Sequence, residues 1–162
     1  MKRYKKSKAV IELEALAMIG VRKKYPGTPE RYFAPRTFED KTANGLTKCV
    51  IEFLRMNGQQ AERISSTGRY VDNKKLVTDV MGGQRQIGSG KWIPGSMQKG
   101  TADISATIQG RSVKIEIKIN DKQSIEQKRY QEQIEQAGGI YIIARSFEEF
   151  RTWYEGFINN LK

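Results

Sequence analysis

The stretch ADISATIQGRSVKIEIKI, residues 102–119, decides how this chain is read. In its second half Val113, Ile115, Ile117 and Ile119 alternate with Lys114, Glu116 and Lys118. That is the period of a strand with one apolar face turned to a core. Residues 102–108 form a second strand, and Gln109-Gly110 between them is a credible two-residue turn, a weaker signal than Asn-Gly. With Ile108 opposite Arg111, opposed residue numbers add to 219. Ile104 then faces Ile115 and Ala106 faces Val113, so the apolar faces agree. The same register, set by the turn alone, puts Asp103 opposite Glu116 with Cβ atoms about 4.5–5.5 Å apart.

Two opposed carboxylates repel unless a cation lies between them. Lys118, two residues and roughly 6.5–7 Å along the strand from Glu116, neutralises part of that charge. A divalent metal does so better, and two carboxylates with water and a phosphate oxygen suit octahedral magnesium. A metal there polarises a phosphodiester and activates water, with Lys118 positioning or deprotonating that water or stabilising transition-state charge. The competing reading is a salt bridge on a solvated sheet face. Gln127, at the start of the next helix, can reach back over the end of the Glu116 strand; its alternative is an ordinary helix-boundary glutamine.

Composition narrows the chemistry. The 162 residues contain no histidine, which removes histidine bases, Ser-His-Asp triads and histidine-held metals. A single cysteine, Cys49, excludes a disulfide framework and a multi-cysteine zinc site. Oxygen ligands therefore dominate any metal site, which points to magnesium or manganese. The net charge of +11 implies a polyanionic partner. Residues 1–100 carry 20 Lys/Arg against 9 Asp/Glu, whereas residues 101–162 carry 9 of each, so the whole surplus lies in the first part. The expected partner is DNA, with Arg63, Arg69, Lys91, Lys99 and Lys122 as candidate contacts. The apolar run Ala9 to Val21 contains Glu12 and Glu14, is too short for a bilayer and lacks a signal-peptide cleavage pattern. No membrane contact and a cytoplasmic location are expected.

Along the chain, residues 1–8 (MKRYKKSK) read as a flexible basic arm, 9–24 as a helix and 25–35 as a Pro/Gly-rich connector. A clearer helix covers 41–57, where Leu46, Cys49, Val50, Phe53 and Leu54 recur at helical spacing and Gly58 stands at the C-terminal cap. Cys49 on that stripe reads as core rather than nucleophile. A short strand over 59–65 ends in Ser65-Ser66-Thr67-Gly68. Residues 68–100, with seven glycines, read as a long loop or hairpin carrying Arg69, Lys74, Lys75, Arg85, Lys91 and Lys99. Gly90-Lys91 does not make a phosphate loop, because Trp92 is not Ser or Thr and Arg85 replaces the first glycine. A DNA-contacting flap with Tyr70 and Trp92 for stacking competes with a surface loop anchored by a packed Trp92. A helix at 123–137 with Tyr130, Ile134 and Ala137 facing the core, Gly138-Gly139, a buried strand at 140–144 and a helix at 147–160 complete the chain. The expected division is a basic arm, helix and connector (1–40) followed by the main domain (41–162).

The series Gly100-x-x-Asp103, Ile115-Glu116-Ile117-Lys118, Ser124-x-x-Gln127 and Gly138-Gly139-Ile140-Tyr141 resembles the PD-(D/E)xK nuclease superfamily. Within it the similarity is to stand-alone VRR-NUC domains and Holliday-junction resolvase-like enzymes, over residues 41–145. The run Gly58 to Gly68, with Arg63-Ile64, is similar to their first core strand. The resemblance implies a restriction-endonuclease-like αβββαβ core: a four-stranded mixed sheet flanked by helices, here with an extra N-terminal helix and a long Gly-rich loop. It implies magnesium-dependent phosphodiester hydrolysis. Asp103, Glu116 and the Ile117 backbone carbonyl become metal ligands, Lys118 the catalytic lysine and Gln127 the motif glutamine. Thr101-Ala102 replaces the usual proline before the aspartate, and at the place on the first core helix where the family often has a metal-reaching glutamate stands Asn44 or Thr47, of which Asn44 can bind the metal through its carbonyl or a water. By analogy with such enzymes, a homodimer acting on branched DNA is expected, with helix 9–24 at its interface. The alternative is a non-catalytic DNA-binding protein on the same fold.

Overall fold

The computed structural model describes residues 4–65, 68–93 and 98–161. In chain order its elements are α1 (Lys8–Lys24), α2 (Ala43–Met56), β1 (Gln60–Arg63), β2 (Arg69–Asp72), β3 (Lys75–Thr78), β4 (Gln84–Ile87), β5 (Gly90–Ile93), β6 (Ile104–Ile108), β7 (Arg111–Ile117), α3 (Ile125–Gln136), β8 (Ile140–Ala144) and α4 (Phe147–Asn159). A single 3-10 turn, Glu30–Tyr32, interrupts the connector after α1.

The β6–β7 hairpin has the register that its turn dictates: Ile104 opposes Ile115, Ala106 opposes Val113, and Ile108 opposes Arg111. Gln109 (φ 49°) and Gly110 (φ 76°) both lie in the left-handed region. Two positive φ values are what a type I′ turn requires, and its twist matches that of the flanking strands. Gln109 is the one non-glycine residue with positive φ among the described residues. Its N–H is held by Gln59 Oε1 at 3.0 Å.

Strand β1 adds antiparallel to β6, and β8 adds parallel to β7 through the crossover helix α3, giving a mixed sheet in the order β1-β6-β7-β8. The molecule is thus α/β, with a four-stranded mixed sheet flanked by helices. With β2–β5 set aside, the elements from α2 to β8 run α-β-β-β-α-β. The apolar face of β7 packs with α2, α4 and α1 in one core that contains Leu46, Val50, Phe53, Ile104, Val113, Ile115 and Phe147. Phe53 lies edge-on to Phe147 (centroids 5.5 Å apart) and Tyr154 (5.1 Å), which locks α2 to α4.

Helix α2 follows its sequence pattern closely. Thr42 caps it by accepting the Gly45 N–H at 3.1 Å. It ends where Gly58, at φ 73°, donates to Arg55 O and Gln59 donates to Leu54 O. That pair of bonds is a Schellman cap, and glycine meets its left-handed requirement without a Cβ penalty. Cys49 lies wholly inside the core, and burial pushes its thiol up to about 12.

Some readings need correction. The segment expected to be a flexible arm is tied down from Tyr4 onward. Tyr4 Oη donates to Asp40 Oδ1 at 2.7 Å, Lys6 pairs with Glu14, and Ser7 caps α1. The first three residues of that arm lie outside the described residues, as do Ser66, Thr67 and Pro94–Met97. The apolar side of α1 is spent within the chain: Ala9, Val10, Leu13 and Ala17 are buried in the same core as the rest. Helix α3 buries no residue fully; Tyr130 and Ile134 are half-buried and Ala137 is exposed.

Residues 68–93 are a hairpin rather than an irregular loop. Strand β2 pairs with β5 and β3 with β4, and opposed numbers add to 162 in both ladders, from Arg69 opposite Ile93 to Thr78 opposite Gln84. The two ladders therefore form one antiparallel ribbon, interrupted where Asn73-Lys74 faces Gly88-Ser89. No residue of the ribbon is buried. No helix among the described residues is long and apolar enough to cross a membrane.

Candidate active site at the end of strand β7

Glu116 is 2% exposed, although it lies on the polar side of β7. Alternation turns it away from the main core, onto the sheet face where α3 lies. A salt bridge on a solvated face is therefore not what the chain builds. Four neighbours surround the carboxylate. The Lys118 ammonium lies 3.2 Å from Oε1. Gln127 Nε2 donates to the same oxygen. Tyr141 Oη donates to Oε2 at 3.5 Å. Asp103 is close enough for its charge to act on Glu116. Burial, and next the Asp103 carboxylate, push the Glu116 carboxyl above the ordinary carboxylate range, while Lys118 and Tyr141 pull it back. Charge repulsion of this kind inside a low-dielectric site is what a bound cation relieves.

Asp103 immediately precedes β6 and is held in place: its Oδ2 accepts the Ile117 N–H at 2.9 Å, and its backbone carbonyl accepts the Ile64 N–H at 2.8 Å. The carboxylate thus closes the open end of the β6–β7 ladder beside Glu116. The register read from the turn puts Asp103 beside Glu116, and the structure brings these two together with Lys118; at Ile117 it is the N–H that meets Asp103.

Gln127 serves two ends at once. Its Oε1 accepts the Ser124 N–H at 2.9 Å while Ser124 Oγ accepts the Gln127 N–H at 3.2 Å, a reciprocal capping box at the start of α3. Its remaining amide hydrogens face Glu116. The approach of α3 depends on Gly100, at φ 82°, where a Cβ would lie 2.4 Å from the Glu126 carbonyl.

Tyr141 was missed as a site residue by sequence reasoning. It opposes Lys114 across the parallel β7–β8 pair, which puts it on the Glu116 face, and it stacks edge-on with Tyr130 at 6.3 Å. Burial, then the Glu116 charge, raise its hydroxyl well above the usual phenol range, so it stays a proton donor. Lys114, the other lysine on this face, bonds Ser105 Oγ at 2.6 Å.

Asn44 lies beside Arg63, which is on β1, the strand next to β6. Its Oδ1 accepts from Arg63 Nη2 at 2.8 Å, and it borders a cleft of about 480 Å³ lined also by Tyr4, Lys6, Phe38 and Lys48. Thr47 Oγ1 donates to Ala43 O within its own helix. Among the described residues no group of three or more His, Cys, Asp or Glu gathers to hold a metal. The donor set at Asp103 and Glu116 is two hard carboxylates, a chemistry that suits a hard divalent cation such as magnesium or manganese. Of the remaining basic candidates, Lys122 is exposed in the connection after β7, Lys99 lies near Glu126, whose carboxyl is held low by its own backbone N–H and by Ser124, with Lys99 a lesser contributor, and Arg69 and Lys91 lie on the ribbon.

No protein-family model matches this chain, and no curated protein sequence matches it.

Proposed function

We propose that this chain is a metal-dependent DNA endonuclease with a PD-(D/E)xK-type, restriction-endonuclease-like core. One observation carries the reading: a buried glutamate, Glu116, is crowded by a second carboxylate, Asp103, and compensated by the amine of Lys118. Asp103 also caps the ladder through the Ile117 N–H, but its charge works against the Glu116–Lys118 pair, whereas a cation-binding phosphodiesterase site has a use for all three. The element order from α2 to β8 and the position of Gln127 over Glu116 agree with the same reading.

In it, Asp103 and Glu116 would hold Mg2+ or Mn2+, with the Ile117 carbonyl as the further ligand that the resemblance implies. Such a metal supplies Lewis acidity and a bound water of lowered pKa. The chain's own groups do the rest. Lys118, as an ammonium, orients the attacking water and neutralises charge that builds on the phosphate oxygens. Gln127 and Tyr141 fix the Glu116 carboxylate through its two oxygens. Water adds to phosphorus and releases a proton to solvent, one bridging P–O bond breaks, and the leaving oxygen takes up a proton. The basic first part of the chain draws in the polyanion.

Branched DNA is the substrate class that the resolvase-like resemblance favours, with a homodimer to cut paired strands. The α1 face already buried in the core is not available for that dimer. A second reading, DNA binding without cleavage, draws on Asn44, whose carbonyl is taken by Arg63 where relatives of the proposed group carry a glutamate. Supercoiled plasmid and four-way-junction DNA incubated with magnesium, manganese or EDTA separate the two. Metal-dependent cleavage that vanishes in Asp103→Ala, with salt-sensitive binding retained, supports the enzyme. Binding without cleavage under every metal condition selects the second reading.

A further inference from the structure

We infer that the β2–β5 ribbon is an arm that lies along duplex DNA through a strip of cations and inserts its apolar tip, Val80-Met81, between base pairs. The inference rests on the DNA partner of the reading above but not on catalysis.

The strip follows from the register. In each ladder one face consists of cross-strand pairs that join a cation to an aliphatic residue: Arg69 with Ile93, Lys91 with Val71, Lys75 with Ile87, and Arg85 with Val77. The cations change strand from one pair to the next within each ladder. At about 3.3 Å per residue, the strip from residue 69 to residue 77 runs roughly 26 Å. The ribbon also carries two acids, and both are spent on turn amides: Asp72 Oδ1 accepts the Lys74 N–H, and Asp79 Oδ1 accepts those of Met81 and Gly83. No ion pair links a ribbon cation to an acid among the described residues. With five cations against two acids, the ribbon keeps a net positive charge, as a phosphate-binding surface requires.

The tip differs from an ordinary polar hairpin end. Val80 is 103% exposed and Met81 92% exposed. The loop that presents them is braced: Asp79 N–H donates to Gly83 O at 2.9 Å, and Gly82 N–H to Asp79 O at 3.0 Å. Two apolar side chains fixed in water at the end of a charged arm cost solvation in the free protein and gain contact only against an apolar surface. Next to a polyanion, that surface is the face of an unstacked base. Small apolar wedges, methionine among them, kink duplexes in this manner. A two-stranded ribbon is also narrow enough to enter a groove. At the ribbon's base Tyr70 lies across Gly90 and Trp92 across Gly68, each where a Cβ on the glycine would collide with the ring. The two aromatics stiffen the arm from its root.

The test uses the full chain in EDTA, where cleavage plays no part, and a 30-base-pair duplex with 2-aminopurine at scattered steps. Wild type is expected to bind with strong salt dependence and raise the fluorescence several-fold. The Val80→Ser/Met81→Ser variant keeps its affinity to within about tenfold and loses the fluorescence rise. Changing Arg69, Lys75, Arg85 and Lys91 to Gln lowers the salt slope by about 3–4, at roughly 0.9 per phosphate contact. All six side chains are exposed, so the variants fold as the parent does. Wild-type binding without a fluorescence rise, or a rise that survives in the serine variant, overturns the wedge. Binding and salt slope untouched by the four Gln changes overturn the strip. Self-association that is lost in the serine variant, with DNA unstacking unchanged, assigns the tip to a second copy of the chain instead. Cleavage assayed separately in magnesium keeps the two readings apart, because a protein that unstacks DNA and never cuts it retains the arm and loses the nuclease.

Discussion

Gln127 joins the first turn of α3 to the buried carboxylate of β7: one amide serves the Ser124 N–H with its oxygen and Glu116 with its nitrogen. Replacing it by alanine removes both links, at an expected loss of about 1–2 kcal/mol in urea denaturation. Gln127→Glu separates them. A glutamate at this position still closes the capping box, but it brings a further carboxylate against Glu116. That variant is expected to keep its helix and to lose stability steeply as pH rises through the range where both acids ionise. A Gln127→Glu protein with the parent's stability and pH profile would reduce Gln127 to a helix cap.

Among the described residues, Lys118 supplies the one ammonium within bonding distance of Glu116. The folded-state pKa of Glu116 lies above its unfolded value. Above that folded pKa the native state bears the full cost of the buried charge; as pH falls through it, the native state binds its proton first and stability rises. Lys118→Met removes compensation and raises the folded pKa further. The expected loss is about 1–3 kcal/mol at neutral pH, less than for a fully buried pair because Lys118 keeps some contact with water. The gap between variant and parent closes as pH is lowered. Urea titrations at several pH values measure it, and two parallel stability curves would show that the amine does not act on Glu116.

Much of this site was legible because it depends on local rules. The β6–β7 register follows from a two-residue turn, and the turn forms because Gln109 and Gly110 both accept positive φ. That register alone brought Asp103 to Glu116. The stripe of α2 and its Gly58 cap are equally local. Tyr141 was not legible in this way. Its place beside Glu116 depends on the parallel register of β7 with β8, which a crossover helix sets and no turn encodes. The ribbon was ambiguous for a different reason. With neither face buried, it carries no strict apolar alternation, and its register shows only in the pairing of one strand with the other. The burial of Glu116 comes from α3 folding over the sheet, so the sequence left open whether that face meets water.

A divalent cation held by Asp103 and Glu116 should stabilise the folded chain whether or not DNA is present. At one hundred times its dissociation constant the gain is about 2.7 kcal/mol. For a chain of this size that corresponds to roughly 5–10 °C in Tm. Thermal melts with manganese and with EDTA are expected to differ by that amount in the parent and to coincide in Asp103→Asn. An equal rise in both proteins would place the ion elsewhere.

Gly100 makes the close approach of α3 possible. It sits at φ 82°, and a Cβ there would lie 2.4 Å from both the carbonyl carbon and oxygen of Glu126 and 2.8 Å from the Gln127 nitrogen. All three are backbone atoms of the first turn of α3, so no side chain can swing aside to make room. Gly100→Ala therefore combines a left-handed conformation, costing about 1–2 kcal/mol, with a displacement of the helix start. Displacement moves Gln127 off Glu116, and the losses from Gly100→Ala and Gln127→Ala should then overlap. In a double-mutant cycle read by urea denaturation and by cleavage rate, the combined variant is expected to fall short of the sum by about 0.5–2 kcal/mol, at most the whole Gln127→Ala loss. Additive losses would mean that Gly100 strains its own turn and leaves the helix, and the carboxylate beneath it, where they are.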